Sequence, residues 1–494
     1  MTTDTTVDVS PAELQHLLDA QRAAQAADPI PDAVTRRDRI DRFVAAVLEH
    51  ATELAAALEA DFGSRPQTVS LELDILGGMQ TIDFARENLE SWMAPTDVPG
   101  GMNGAIPTII QNRPKGVVGV IGPWNFPVVL VFVPTVEALA AGNRVMIKFS
   151  DMAPRTGAVF ARAVASRMSP EEVTVVGGGL ATATAFSDLR FDHIFFTGSP
   201  KVGRLIAVAA GRNLVPVTLE LGGKNPAIVA PDADVADAAA RIAAARLVNN
   251  GQVCLCPDYV FVPEAGKEMF VEAYRKAVLT HFPTFLDNPD VVSIINDANY
   301  KRVTGLIDDA KAKGATEIIL VPEEEKSRLP DAKGRRLPPT LLVDVPADAE
   351  INREEIFGPV LVLHSYSGVD EAIAYAAAGE HPLSSYWYGG DTDDFRRFVR
   401  NTTSGAVSRN DFALAYINHA APFGGVGMSG SGAYHGKAGF DTFSHQRPIA
   451  QSDLPVALAP AFVPPLVPER VAGVAAGAAA AAQQAAGRLA SPAG

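Results

Sequence analysis

Cys254 stands in Asn250-Gly251-Gln252-Val253-Cys254-Leu255-Cys256 and is one of two cysteines in 494 residues. Upstream lie Glu220, in Thr218-Leu219-Glu220-Leu221-Gly222-Gly223-Lys224, and Asn125, in Pro123-Trp124-Asn125-Phe126-Pro127. A thiol, a carboxylate and a side-chain amide are the parts of covalent chemistry on a carbonyl carbon. The thiolate attacks, the amide holds the developing oxyanion, and the carboxylate takes a proton from water. Each also has a plainer meaning. A lone cysteine is more often an inert small hydrophobe, and Cys256 is read as that case. A glutamate in an apolar run can be an ion-paired or surface-facing residue. A Pro-bracketed aromatic turn can be no more than a rigid loop. Two cysteines with none of the nine histidines clustered beside them cannot fill a tetrahedral zinc site, so no metal is expected.

The elements that must position these residues are most regular between 116 and 221. Short apolar β runs at 116–121, 144–149, 173–176, 193–197 and 215–221 alternate with helical stretches at 128–141, 156–167, 181–187 and 201–210. Such alternation predicts a parallel sheet of right-handed βαβ units, with ligand at the carboxyl ends of the strands. Asn125, Lys148, Gly177 and Ser199 all fall at or just past strand ends, which predicts one shared pocket. Lys148 with Asp151 could hold ribose hydroxyls. The turn Phe196-Thr197-Gly198-Ser199 before Val202-Gly203 could receive a diphosphate at a helix N-terminus, although it is neither a P-loop nor Gly-x-Gly-x-x-Gly. Glu355-Ile356-Phe357-Gly358-Pro359 sets a carboxylate and an aromatic ring on one turn; with Glu354 alongside, an ordinary acidic loop is the alternative.

Around this section, 11–60 reads as helices, with Ser10 as N-cap and Pro11 in the first turn, and 71–93 as another helix or pair. The Pro/Gly-rich stretch 95–114 reads as a loop or strand leaving the main body. Residues 222–405 continue the α/β alternation as a second domain, and 406–450 is Gly-rich and loop-like. After 450, Pro455, Pro460, Pro464, Pro465 and Pro468 precede an Ala/Gly stretch at 472–486, predicting an extended segment and then a marginal helix or disorder. A net charge of −15 argues against a nucleic-acid partner. The start, Met1-Thr2-Thr3-Asp4, carries no signal-peptide pattern, and no apolar run reaches the ~18 residues of a membrane span. With so little cysteine, a reducing, cytoplasmic setting is expected.

Five motifs in order resemble the aldehyde dehydrogenase superfamily over residues 10–450: Pro-Trp-Asn-Phe-Pro at 123–127, Phe-Thr-Gly-Ser at 196–199, Leu-Glu-Leu-Gly-Gly-Lys at 219–224, Gly-Gln-x-Cys at 251–254 and Glu-Ile-Phe-Gly-Pro-Val at 355–360. Within it the chain is similar to the class 3 branch and to the coniferyl aldehyde dehydrogenases. The residues that say so are Cys256-Pro257-Asp258-Tyr259-Val260, Pro422-Phe423-Gly424-Gly425-Val426-Gly427, Gly432-Ala433-Tyr434-His435-Gly436-Lys437, Phe440-Asp441-Thr442-Phe443-Ser444-His445 and Asp61-Phe62-Gly63.

The resemblance implies an aldehyde dehydrogenase-like α/β fold: two doubly wound α/β domains with parallel sheets, plus a small β bridging and oligomerisation element. An NAD(P)-binding Rossmann-like domain would take 1–95 and 115–221, a catalytic domain 222–405, the bridging element 96–114 and 406–450, and a Pro/Ala-rich tail 451–494. It also implies roles. Cys254 would be the nucleophile, Asn125 with the Cys254 N–H the oxyanion hole, and Glu220 the base for deacylation. Trp124, Lys148, Asp151, Gly178, Ser199, Gly203, Glu355 and Phe357 would line the cofactor path. The cofactor would be NAD, with NADP left open because Lys148-Phe149-Ser150-Asp151 replaces the usual Lys-Pro-Ser/Ala-Glu. Val253 and Cys256 also depart from the common pattern. The implied reaction is oxidation of an aromatic, coniferyl-type or medium-to-long aliphatic aldehyde to its acid, through a thiohemiacetal and a thioacyl-enzyme. The partner would be a small-molecule aldehyde, and the assembly a homodimer, a tetramer being the alternative. Rival functions are a CoA-acylating aldehyde dehydrogenase and a non-catalytic protein on the same fold.

Overall fold

Strands Val117–Ile121 and Arg144–Lys148 are buried at every position, as strands covered by helices on both faces of a parallel sheet must be. They lie at the centre of a six-stranded sheet in a computed structural model that describes residues 7–101, 104–452, 454–463 and 467–490. Met1-Thr2-Thr3-Asp4, Pro464 and Pro465, which carry part of the sequence-based expectation, lie outside those residues. The spatial order is Gly430–Ser431, Val217–Leu221, His193–Gly198, Val117–Ile121, Arg144–Lys148, Val173–Val176. All neighbours run parallel except Gly430–Ser431, which lies antiparallel on Val217–Leu221 with Gly430 opposite Glu220. The helix Val129–Ala140 is apolar on all sides and wholly buried, the pattern of a core helix.

A second sheet has seven strands: Thr316–Ile319, Thr340–Val343, Val360–Tyr366, Tyr259–Pro263, Pro226–Val229, Ser384–Tyr388, Ala406–Arg409. Only Thr316–Ile319 runs antiparallel to its neighbour. Helices Val235–Leu247 and Lys267–His281 bury Ala238, Ala239, Ile242, Phe270 and Tyr274 against its core. Both sheets belong to one compact unit, residues 1–94 and 112–446. A second unit takes 95–111 and 447–494. It holds most of a three-stranded sheet in the order Thr96–Gly101, Ile106–Pro114, Ser444–Ala450, and the helix Pro468–Ala490.

The N-terminal helices form as their caps predict: Ser10 Oγ accepts from Glu13 N at 3.2 Å ahead of Pro11–Ala27. Elsewhere the structure refines the sequence-based expectation. The 71–93 stretch is a π-helical segment, Ser70–Ile75, followed by the helix Met79–Met93. The loop-like 406–450 stretch contributes a strand to each parallel sheet, the helix Gly436–Thr442 and a strand of the three-stranded sheet. Strands as short as Gly430–Ser431 leave no periodicity in sequence, because their pairing is dictated by the strand they join. The 472–486 stretch lies inside a continuous helix starting at Pro468. Among the described residues no helix is long and apolar enough to cross a membrane.

Candidate active site

Cys254 lies on the loop between the helix Val235–Leu247 and the strand Tyr259–Pro263. The loop turns through Asn249, Asn250 and Gly251, all with left-handed backbone (φ 48°, 51° and 77°). Asparagine and glycine bear that conformation at least cost. At Gly251 glycine is required twice over, since a Cβ there would stand 2.1 Å from the Gly358 carbonyl oxygen. Neutral side chains then pin the loop. Gln252 Nε2 donates to the carbonyls of Asn249 (3.0 Å) and Ser293 (3.1 Å), and its Oε1 accepts from Ile295 N (3.0 Å). Asn225 Nδ2 donates to the carbonyls of Cys254 (2.7 Å) and Cys256 (3.0 Å), and the Tyr386 hydroxyl to that of Leu255 (2.6 Å).

The two thiols differ. Cys256 is buried, donates to the Ala245 carbonyl at 3.2 Å and is pushed up to about 12 by burial. Cys254 is half-buried. Desolvation pushes its thiol far above the ordinary range, the carboxyls of Glu355 and Glu220 add to this, and its own backbone N–H pulls the other way. Asn125 is 4% exposed, and its Nδ2 donates to the Gln252 carbonyl at 3.1 Å, two residues before the thiol. A primary amide has two N–H groups. One anchors Asn125 to the Cys254 loop, and the second remains for a ligand. Asn249 Nδ2 bridges the carbonyls of Asn125 (3.3 Å) and Gln252 (3.2 Å), stitching the two loops together.

Glu220 comes from the strand Val217–Leu221 and is 3% exposed. Burial pushes its carboxyl well above the usual range, outweighing the Gly425 N–H that favours the charge. Gly424 lies against it: a Cβ there would be 2.9 Å from Glu220 Oε1. Glu355 lies over Gly222, where a Cβ would meet its carboxyl oxygens at 2.2 and 2.5 Å. Its pKa is raised to about 8, first by desolvation and then by Asp258, with the Gly223 N–H opposing. Its turn is fixed from outside. Arg302 donates to the carbonyls of Glu355 (3.0 Å) and Ile356 (2.8 Å), and Asp258 accepts from Ile356 N (3.1 Å). Phe357, at φ 47°, packs its ring edge-on to Trp124 at 5.2 Å.

Because the ionised Glu355 raises the thiol, Glu355→Gln should change alkylation of Cys254 by iodoacetamide in a defined way. Below about pH 8 both proteins carry a neutral side chain at 355 and should behave alike. As pH rises through that value the wild-type rate should climb less steeply than the variant's. Parallel profiles up to pH 10 would contradict the coupling.

A cleft lies away from Cys254, at the carboxyl ends of strands Arg144–Lys148 and Val173–Val176. It has a volume of about 260 Å³ and is lined by Phe149, Ser150, Asp151, Gly177 and Gly178, by Pro154, Gly157, Ala158 and Ala161 of one helix, and by Val7. Buried Lys148 ties two of its lining residues together, donating from Nζ to the carbonyls of Phe149 and Gly178 at 2.8 Å each. Gly178 (φ 83°) leaves no room for a side chain, since a Cβ would be 2.4 Å from Thr182 Oγ1. After the next strand in sequence, His193–Gly198, which Val117–Ile121 separates from Arg144–Lys148 in the sheet, Ser199 caps the helix Pro200–Arg212, its Oγ accepting from Val202 N at 3.4 Å. Gly203 lets that helix press on the sheet, a Cβ there being 2.7 Å from Leu221 Cδ2. A glycine-bearing turn, a helix N-terminus and a lysine at a strand end fit a dinucleotide laid across the sheet edge.

Asn125, Lys148, Gly177 and Ser199 thus follow adjacent strands of one sheet. Trp124, Glu355 and Phe357 meet at the Cys254 side, and Asp151 and Gly178 at the far cleft. Sequence reasoning missed Asn225, Asp258 and Arg302, which hold the loops. Asn225 directly follows a quoted motif, but nothing in sequence marks it as a clamp. Asn249-Asn250-Gly251 did carry a signal, as a run of residues that favour left-handed backbone. Among the described residues no His/Cys/Asp/Glu group could hold a metal ion.

Two helix-covered, mostly parallel sheets, with a cleft at the carboxyl ends of strands of one and a thiol loop leading into a strand of the other, are the architecture of an α/β oxidoreductase. The chain belongs to the aldehyde dehydrogenase family, whose profile matches residues 1–449. It is 44% identical over 450 residues to a probable coniferyl aldehyde dehydrogenase of Caulobacter vibrioides, covering 90% of this chain and 92% of that one. It is 42% identical over 441 residues to the coniferyl aldehyde dehydrogenase of a Pseudomonas species, covering 89% and 91%. Among solved structures it resembles Staphylococcus aureus AldH in a substrate-bound state, with TM-score 0.84, 32% identity and coverage of 90% and 95%. Others at TM-score 0.81 and 26% identity, covering 90% of this chain, are an indole-3-acetaldehyde dehydrogenase complexed with NAD+ (90% of that chain) and an NADP-dependent enzyme of Escherichia coli (91% of that chain). The protein is an oxidoreductase that converts an aldehyde to the acid with a nicotinamide cofactor.

Proposed function

We propose that Cys254, Asn125 and Glu220 carry this reaction, on a hydrophobic and preferably aromatic aldehyde of the coniferyl type. The observation that supports the assignment is the hydrogen bond from the Asn125 amide to the Cys254 loop, with the Glu220 carboxyl near enough for its charge to raise the thiol. The thiolate adds to the aldehyde carbon. The free N–H of Asn125 and the Cys254 N–H hold the oxyanion. The bound cofactor supplies a hydride acceptor. The thioester left on Cys254 is attacked by water, Glu220 takes the water's proton, and the acid leaves. A carboxyl with so high an affinity for its proton is a strong base once ionised, and kcat should rise with pH as Glu220 ionises.

The aromatic preference rests on the surroundings of the thiol. Cys254, Trp124, Phe412 and Tyr416 are half-buried side chains packed on one core cluster, and Tyr416 meets Phe423 edge-on at 5.2 Å. Such walls suit a flat apolar substrate. We place the cofactor's adenosine half in the Lys148–Asp151 cleft and its diphosphate at Ser199 and Gly203, with Glu355 and Phe357 beside the nicotinamide. NAD is favoured over NADP. Asp151 lines the cleft, and Asp8 holds the N–H of Gly179 (2.8 Å) at the same wall. A 2′-phosphate would meet both negative charges. Asp151→Ala should narrow the NAD-over-NADP ratio in kcat/KM by about tenfold, roughly 1.4 kcal/mol of removed repulsion. An unchanged ratio would move the selectivity elsewhere.

The six-stranded region is the nucleotide-binding part on this reading, the seven-stranded region the catalytic part, and the three-stranded sheet with its exposed strands a bridge in a homodimer. The enzyme is placed in the cytoplasm on its near-lack of cysteine. An aldehyde panel with NAD and NADP side by side tests the substrate class. Coniferyl-type aldehydes should give the highest kcat/KM, and a preference for short or charged aldehydes would refute the aromatic assignment. A CoA arm that yields thioester instead of acid would refute the hydrolytic role of Glu220.

A further inference from the structure

The geometry points to the buried pair Arg65 and Asp74 as positioning residues that hold Asn125 on the thiol loop; this rests on Asn125 being the oxyanion donor. Both side chains are 0% exposed, with Nη2 and Oδ2 3.2 Å apart. A buried ion pair is weak support for stability, since apolar residues of like volume can often replace it. This pair instead brackets the Asn125 turn. Arg65 Nη1 donates to the Asn125 carbonyl at 3.0 Å. The guanidinium lies against Phe62 (4.8 Å) and against Phe126 (5.0 Å), the residue next to Asn125. On the other side of the turn, Asp74 Oδ1 accepts from Val128 N and Val129 N at 3.0 Å each. Those N–H groups open the helix Val129–Ala140 and lack a partner in the helix itself, and a negative charge suits that end.

Asp74 reaches this place from the π-helical segment Ser70–Ile75, closed by Leu76 N on the Leu71 carbonyl at 2.9 Å. A π turn adds a residue and re-aims the side chains beyond it, and such turns concentrate at functional sites. The carbonyl of Asn125 and the N–H groups three and four residues on are therefore fixed by one ion pair from outside the turn. The amide between them has little freedom to drift from the thiol. A displacement of about 1 Å at a reacting centre can cost on the order of 10²-fold in rate.

Arg65→Lys keeps the charge but offers a point donor, which cannot reach both carbonyl and carboxylate in a planar fork. It should be made alone and together with Asn125→Ala, reading kcat/KM for the aldehyde, cofactor Kd by protein fluorescence, and Tm. Arg65→Lys alone should lose about 10- to 100-fold in kcat/KM with cofactor Kd unchanged. In the Asn125→Ala background it should lose no more than about twofold, because the donor it positions is gone. Equal losses in both backgrounds, or no loss in the first, would overturn the inference. Wild-type kcat/KM in Asn125→Ala alone would instead remove the oxyanion assignment, a failure visible without touching Arg65. If Arg65→Lys does not fold, the isosteric Asp74→Asn enters the same cycle under the same criteria.

Discussion

Cys254→Ala should abolish acid formation, with kcat down by on the order of 10⁴-fold or more, while the cofactor still binds. The size follows from the number of steps that pass through one sulfur. Addition, hydride loss and hydrolysis all act on carbon bound to Cys254, so nothing in the site can substitute for it. Cofactor affinity should survive because the proposed nucleotide contacts lie along the six-stranded sheet. Cys256 cannot rescue the variant. It is buried, and its sulfur is turned to the Ala245 carbonyl. Aldehyde oxidation by the variant at even a hundredth of the wild-type rate would remove Cys254 from its role, whereas loss of cofactor binding would mean that the loop itself had collapsed.

Glu220→Gln should separate the two halves of the reaction. The oxyanion donors and the thiol are untouched, so the first turnover should release reduced cofactor in a burst of up to one equivalent per site. The thioacyl-enzyme should then accumulate, detectable as added mass on the Cys254 peptide after an acid quench. Steady-state kcat should fall by about 10²- to 10⁴-fold, the usual worth of a general base. Glutamine is nearly isosteric, which matters against Gly424, where a Cβ would stand 2.9 Å from the Glu220 carboxyl. Where Glu220 is ionised, removal of its charge should also ease ionisation of Cys254, and where it is protonated the change is neutral, so the burst itself should not be slower than in the wild type. A kcat close to wild type, with no burst, would show that water is activated by another group.

How much of this was visible in sequence depended on the range of the interactions. The central strands were legible because Val117–Ile121 and Arg144–Lys148 are apolar end to end and sit between helices of clear period. The residues at their ends were legible for the same reason, since a βαβ unit delivers them to one edge without knowledge of any contact. The π-helical Ser70–Ile75 was not, because it differs from an α-helix only in shifted hydrogen bonds that composition does not encode. Nor was the grip of Asn225 on the Cys254 carbonyl, or that of Arg65 on Asn125, which join residues 29 and 60 positions apart through buried polar atoms. The raised pKa of Glu220 was equally hidden. It follows from burial against Gly424, which comes from another part of the chain and overrides the opposing Gly425 N–H, on a strand that by itself reads as apolar with one charge.

That late contribution bears on how the protein is made. A chain ending at residue 405 already carries the thiol, the amide and the acid, but it lacks Gly424, which lies against the Glu220 carboxyl, and Gly430, which pairs opposite it. Those glycines are among the last residues of the body to be translated. A product that stops short of residue 431 would carry every reactive group of the site without the residues that enclose its carboxyl.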